Sequence, residues 1–134
     1  IDTGWLWPVR ETVRKTARTF ATQLKIIDQY PQYIFGASQP QHYQFMKDSY
    51  PEIYERVKTA VIEGNWECQG GMWVEADCNL ISGESMVRQL LHGKNFSLCQ
   101  NLLLESFQGL SFEYLAQYFR ALDPLLHLQP QKEK

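Results

Sequence analysis

Two carboxylates stand beside aromatic-rich stretches. Asp2 is followed by Trp5 and Trp7, and Asp77 is preceded by Trp73. Pyranose rings pack their C–H faces on aromatic rings, and carboxylates take the hydroxyl hydrogen bonds, so the pairing suits a sugar site. A carboxylate so placed can serve as a metal ligand or as a glycosidase carboxylate. Each feature also has an ordinary use, since Asp is common in turns and N-caps and Trp in cores. His42, His92 and His127 all fall in stretches that read as helices and are better taken as solvated or partly packed imidazoles than as ligands. Gly70-Gly71 lacks the Gly-Lys-Ser/Thr end of a phosphate loop. Ser82-Gly83-Glu84-Ser85 reads as a helix start, because a nucleophile elbow needs its serine centred in G-x-S-x-G.

The elements that must position the carboxylates follow from periodicity. Val13, Ala17, Phe20, Leu24 and Ile27 step by four and three, which predicts an amphipathic helix over about 9–28, with Pro8 before it and Pro31 after. Tyr33-Ile34-Phe35-Gly36-Ala37-Ser38 reads as a buried strand between two prolines. A helical stretch over about 41–63, broken at Tyr50-Pro51, ends at Gly64. Trp66-Glu67-Cys68-Gln69 is a second strand, leading into the loop with Trp73 and Asp77. Ser82 is the N-cap of a further helix whose apolar face is Met86, Val87, Leu90 and Leu91. Helices alternating with short apolar strands imply βαβ crossovers and a parallel sheet. Ligand sites of such sheets form at the C-terminal strand ends, where Asp77 lies, and Asp2 too if a strand precedes Ile1.

Composition bounds the function classes. The chain has 134 residues, with 13 Lys and Arg against 15 Asp and Glu, for a net charge of −2. No basic excess exists to neutralise phosphates, which argues against nucleic-acid or anionic-membrane binding by bulk charge. Hydrophobic residues make up 44%, a globular share, and no apolar run has membrane-spanning length. Three cysteines without C-x-x-C spacing argue against a disulfide scaffold or a cysteine zinc site and favour a reducing compartment. The abrupt opening at Ile1 suggests a piece of something longer. Residues 1–96 and 97–134 read as two regions, the second Leu-rich and expected to be helical.

Five segments together carry a resemblance: Ile1-Asp2-Thr3-Gly4-Trp5-Leu6-Trp7-Pro8, Arg10-Glu11-Thr12-Val13-Arg14-Lys15, Phe35-Gly36-Ala37-Ser38-Gln39, Gly70-Gly71-Met72-Trp73-Val74-Glu75-Ala76-Asp77 and Ser82-Gly83-Glu84-Ser85-Met86-Val87-Arg88-Gln89. In this order and spacing, over about residues 1–96, they resemble the N-terminal catalytic region of glycoside hydrolase family 38, the α-mannosidases. The opening is similar to that of the branch that is mostly cytosolic or vacuolar, so the resemblance implies a cytoplasmic protein. It implies an α/β fold, a partial seven-stranded (β/α) barrel of about three βα units with the first strand truncated. It implies a zinc cofactor, with Asp2 and Asp77 as metal ligands, Asp77 also as the catalytic nucleophile, and Trp5 as the floor under a bound mannose. Zinc between carboxylates and imidazoles can grip sugar hydroxyls, and a carboxylate nucleophile paired with an acid/base about 5 Å away gives retention.

The sequence departs from the family pattern in three places. Gly4 stands where the family has Ala. The histidine ligand two positions before Asp2 would precede Ile1. The Leu-Pro-Asp-x-Phe-Gly-Tyr motif expected after Phe96 does not occur, so the acid/base and the last histidine ligand lie outside this chain. The expected function is therefore part of a metal-dependent retaining hydrolase acting on mannose-containing glycans. The alternative is a non-catalytic remnant that associates with a partner or with itself as a homo-oligomer. A carbohydrate deacetylase would want a His-x-x-x-His pair, which the sequence lacks.

Overall fold

The computed structural model describes residues 1, 3–4 and 6–99. Asp2, Trp5, His127 and the Leu-rich tail from residue 100 lie outside the described residues. In chain order the elements are α1 (Val9–Gln29), β1 (Phe35–Ala37), α2 (Pro40–Ser49), α3 (Pro51–Ile62), β2 (Trp66–Cys68) and α4 (Gly83–Cys99).

Helix α1 starts after Pro8, whose carbonyl accepts from the amides of Glu11 and Thr12, and ends at Tyr30 just before Pro31. Its apolar stripe faces inward as the spacing predicts, with Ala17, Phe20, Leu24 and Ile27 buried. Thr12 and Thr16 are buried as well, and the Thr16 hydroxyl bonds back to the Thr12 carbonyl at 2.9 Å. The break at Tyr50-Pro51 is real. It divides the second helical stretch into α2 and α3, because a proline at the start of α3 cannot continue the hydrogen bonding of α2.

Strands β1 and β2 pair in parallel, with Phe35 opposite Trp66 and Ala37 opposite Cys68. Helices α2 and α3 form the crossover between them, which is the βαβ order expected. Trp66 is the centre of the core. It is 0% exposed, meets Phe20 and Phe35 edge-on at 4.9 and 4.7 Å, and donates its indole N–H to the Tyr43 hydroxyl at 2.9 Å. Tyr43 in turn donates to the Ala37 carbonyl at 2.9 Å, so one chain of hydrogen bonds links β2, α2 and β1. Burial pushes the Tyr43 hydroxyl well above its ordinary range, which keeps it a neutral donor.

Two expectations need correction. The first strand is half-buried and three residues long: Phe35 and Ala37 pack inward, while Ile34 is 55% exposed and Gly36 faces out. The register puts exposed Gly36 and Glu67 on one face of the described sheet and buried Trp66 with half-buried Phe35 on the other. The α/β class holds, and the described residues form a two-stranded parallel sheet. The apolar face of α4 is likewise only partly used, since Val87 and Leu91 are 48% and 47% exposed. The Ser82 cap forms as expected, its hydroxyl accepting from the Ser85 amide at 3.2 Å. No described helix is long and apolar enough to cross a membrane.

Candidate active-site loop

Asp77 lies on the loop 70–82 that leaves the C-terminal end of β2, the end at which parallel sheets bind ligands. The loop begins at Gly70, whose φ of +71° suits glycine. Asp77 is exposed. Its Oδ1 accepts from the Asn79 amide at 2.8 Å, and its carbonyl accepts from the amides of Leu80 and Ile81. This Asx turn fixes one carboxylate oxygen and closes the loop before α4 begins.

Two helices hold the middle of the loop through glutamines. The Trp73 amide donates to the Gln89 carbonyl at 2.9 Å, and the Val74 amide donates to Gln89 Oε1 at 2.9 Å. On the other side, Gln41 donates its amide to the Trp73 carbonyl at 3.1 Å and accepts the indole N–H at 2.8 Å. The Trp73 ring also meets Phe96 edge-on at 5.5 Å. Beneath this, Gly93 of α4 is buried against the loop backbone. A Cβ built there would stand 2.8 Å from the Met72 carbonyl carbon and 2.9 Å from that of Gly71. The Ser38 hydroxyl, just past β1, donates to Glu75 and ties the loop to the neighbouring strand end.

The opening segment is fastened to the same helix end as the loop. Thr3 Oγ1 lies 2.9 Å from His42 Nε2, and His42 follows Gln41 in the first turn of α2. His42 corrects the sequence reading of a solvated or partly packed imidazole, because it is 3% exposed. Burial pulls its pKa down to about 4, and Glu75 opposes the fall. The native state therefore holds His42 neutral, whereas the unfolded chain protonates it below about 6.5. Its contribution to stability is fully present above pH 6.5 and is lost as pH falls towards 4. Thermal melts between pH 7 and 4 should show the midpoint falling across this window. In the His42→Gln variant that part of the slope should vanish, and an unchanged slope would assign it to other groups.

The described residues place one of the three expected site residues, Asp77. Asp2 and Trp5 lie outside them, so the approach of Asp2 to Asp77 is not among the geometry seen. Among the described residues no group of three His, Cys, Asp or Glu side chains could hold a metal ion. Of the ligands the resemblance implies, Asp77 is the one among the described residues, and its carboxylate is an oxygen donor of a kind zinc accepts. His92 lines a cleft of about 260 Å³ with Trp73, Arg88 and Gln89. Sequence reasoning missed Gln41, His42, Gln89 and Gly93 as supports of the site. Gly93 alone carried a signal, being a glycine inside a helical pattern, where a close packing contact is the usual reason.

Comparisons with known proteins agree on one family. The family described as "Glycosyl hydrolases family 38 N-terminal domain" matches residues 1–102. Alpha-mannosidase 2C1 of Homo sapiens is 49% identical over 98 residues, which cover 73% of this chain and 9% of that protein. Alpha-mannosidase G of Dictyostelium discoideum is 51% identical over 96 residues, covering 72% of this chain and 9% of the relative. A crystal structure of a glycosyl hydrolase family 38 protein from Enterococcus faecalis superposes with a TM-score of 0.64 at 27% identity, covering 77% of this chain and 12% of that one. The chain thus spans about a tenth of the length of these relatives. With the family match running from the opening segment through the Asp77 loop and α4, the chain belongs to glycosyl hydrolase family 38, through its N-terminal domain.

Proposed function

We propose that this chain contributes part of the active site of a zinc-dependent, retaining α-mannosidase that removes α-linked mannose from glycans in the cytoplasm. The observation that carries the reading is the placement of Asp77. It sits on a braced loop at the C-terminal end of a parallel strand, within a segment about half identical to proteins named alpha-mannosidases. In this reading Asp77 attacks the anomeric carbon, a carboxyl from elsewhere in the enzyme protonates the leaving oxygen, and water later releases mannose with retained configuration. Zinc, when bound, would bind sugar hydroxyls, with Asp2 and Asp77 among its ligands and Trp5 beneath the sugar. The full catalytic domain would close a seven-stranded barrel over the open face of the sheet.

The test is hydrolysis of an aryl α-mannoside by the full natural chain, followed by proton NMR. The α-anomer of mannose should appear first and then mutarotate. First appearance of the β-anomer would rule out retention, and absence of hydrolysis would rule out the activity.

The 134-residue chain by itself should show no hydrolysis with added zinc. Neither the acid/base carboxyl nor a full ligand set is expected in it, and loss of acid catalysis alone is worth about 10²–10⁴-fold. Activity equal to that of the full chain would contradict this. A second reading, association without catalysis, draws on the exposed Ile34, Val87 and Leu91. It predicts an inactive full chain and a self-associated or partner-bound species in sedimentation.

A further inference from the structure

The stretch 71–77 lies outside any strand, yet its backbone is gripped from both sides. Trp73 has its amide, its carbonyl and its indole N–H engaged by two glutamines from two different helices. Val74, three residues before Asp77, donates to the carboxamide of one of them, Gln89. A surface loop does not need this bracing to hide its polar groups, because water would satisfy them. Bracing of this kind fixes position.

Gly93 points the same way. It lies inside α4, where alanine is the better helix former and glycine weakens the helix. The site keeps no room for a Cβ, because the carbonyl groups of Gly71 and Met72 rest on the helix at that point. Helix α4 gives up intrinsic propensity and receives the loop in a notch. Gly93 and Gln89 lie four residues apart, one turn, so the notch and the carboxamide share a face of α4.

We propose that Gln41, Gln89 and Gly93 are positioning residues for Asp77, setting where the loop lies and so where its carboxylate stands. The proposal rests on the reading of Asp77 as nucleophile. A nucleophile works only in a near-attack geometry, and a displacement of about 1 Å far from the chemistry can cost about 10²-fold in rate. None of the three residues needs to touch the sugar for this role.

The test uses the full natural chain and the variants Gln89→Leu, Gln89→Glu, Gly93→Ala and Gln41→Leu. The readouts are kcat and KM on an aryl α-mannoside, and hydrogen exchange by mass spectrometry in peptides covering 71–77 and α1. Gln89→Leu and Gly93→Ala should lower kcat by about 10–10²-fold with KM within about 3-fold of the parent. Exchange over 71–77 should quicken while α1 stays protected. Gln89→Glu still offers an oxygen to the Val74 amide and should recover most of the kcat lost in Gln89→Leu.

Three results would overturn the proposal. The first is a Gly93→Ala protein with a raised melting point and unchanged kcat and exchange, as helix propensity alone predicts. The second is equal loss in Gln89→Leu and Gln89→Glu. The third is faster exchange in α1 and the loop together, which marks general destabilisation. Should a Gln89 variant fail to fold, Gln41→Leu carries the same comparison from the other helix. An inactive parent enzyme would defeat the mannosidase reading, and the exchange comparison would still decide whether these residues position the loop.

Discussion

Asp77→Asn in the full natural chain is expected to lower kcat on an α-mannoside by at least about 10³-fold, the scale seen when a member of a nucleophilic catalytic unit is removed. Asparagine is nearly the same size and keeps the side-chain oxygen that accepts from the Asn79 amide, so the Asx turn and the loop should persist. What is lost is the anionic oxygen able to bond to the anomeric carbon. If Asp77 also ligates zinc, metal affinity should fall in the same variant, because a neutral amide is a poorer ligand than a carboxylate. Steady-state kinetics together with metal titration against a chelator check both effects. Ordinary turnover in Asp77→Asn would assign the nucleophile to another residue.

The largest stability effect is expected at Trp66. Trp66→Ala removes a side chain that is 0% exposed and packed edge-on against Phe20 and Phe35. Truncations of this kind cost about 3–5 kcal/mol, a large share of the roughly 5–15 kcal/mol that holds a domain together. The melting temperature should drop by roughly 10–20 °C. Trp66→Phe keeps an aromatic ring and loses the indole donor, but Tyr43 can still donate to the Ala37 carbonyl. That variant should lose only about 1–2 kcal/mol. Calorimetry on the two variants separates packing from hydrogen bonding. Equal losses would mean that the Trp66–Tyr43 bond, and not ring packing, dominates.

Much of the fold is legible in the sequence because its signals are local. The four-and-three spacing of Ala17, Phe20, Leu24 and Ile27 reports the buried face of α1 directly. Pro51 and Ser82 mark a helix break and a helix start through the amide one lacks and the hydroxyl the other offers. The exposure of Ile34 was not legible, because an apolar run does not say whether both faces of a sheet are covered. Nor were the braces of the site. Gln41 and Gln89 are 48 residues apart and look like ordinary polar helix positions; only folding brings both to Trp73. His42 misled for the opposite reason. An imidazole within a polar stretch gives no sign that Thr3, 39 residues earlier, will close over it. Residue chemistry singles out Asp77 as a candidate carboxylate, and the resemblance adds the nucleophile and ligand roles that are proposed for it.

The assignment of Asp77 as nucleophile is tested most directly by trapping. A fluorinated mannosyl substrate that glycosylates the enzyme faster than the intermediate hydrolyses should leave a covalent sugar on one carboxylate. Peptide mass spectrometry of the labelled full chain is predicted to place that sugar on Asp77. A sugar found on any other carboxylate, or stoichiometric inactivation that survives in Asp77→Asn, would contradict the account.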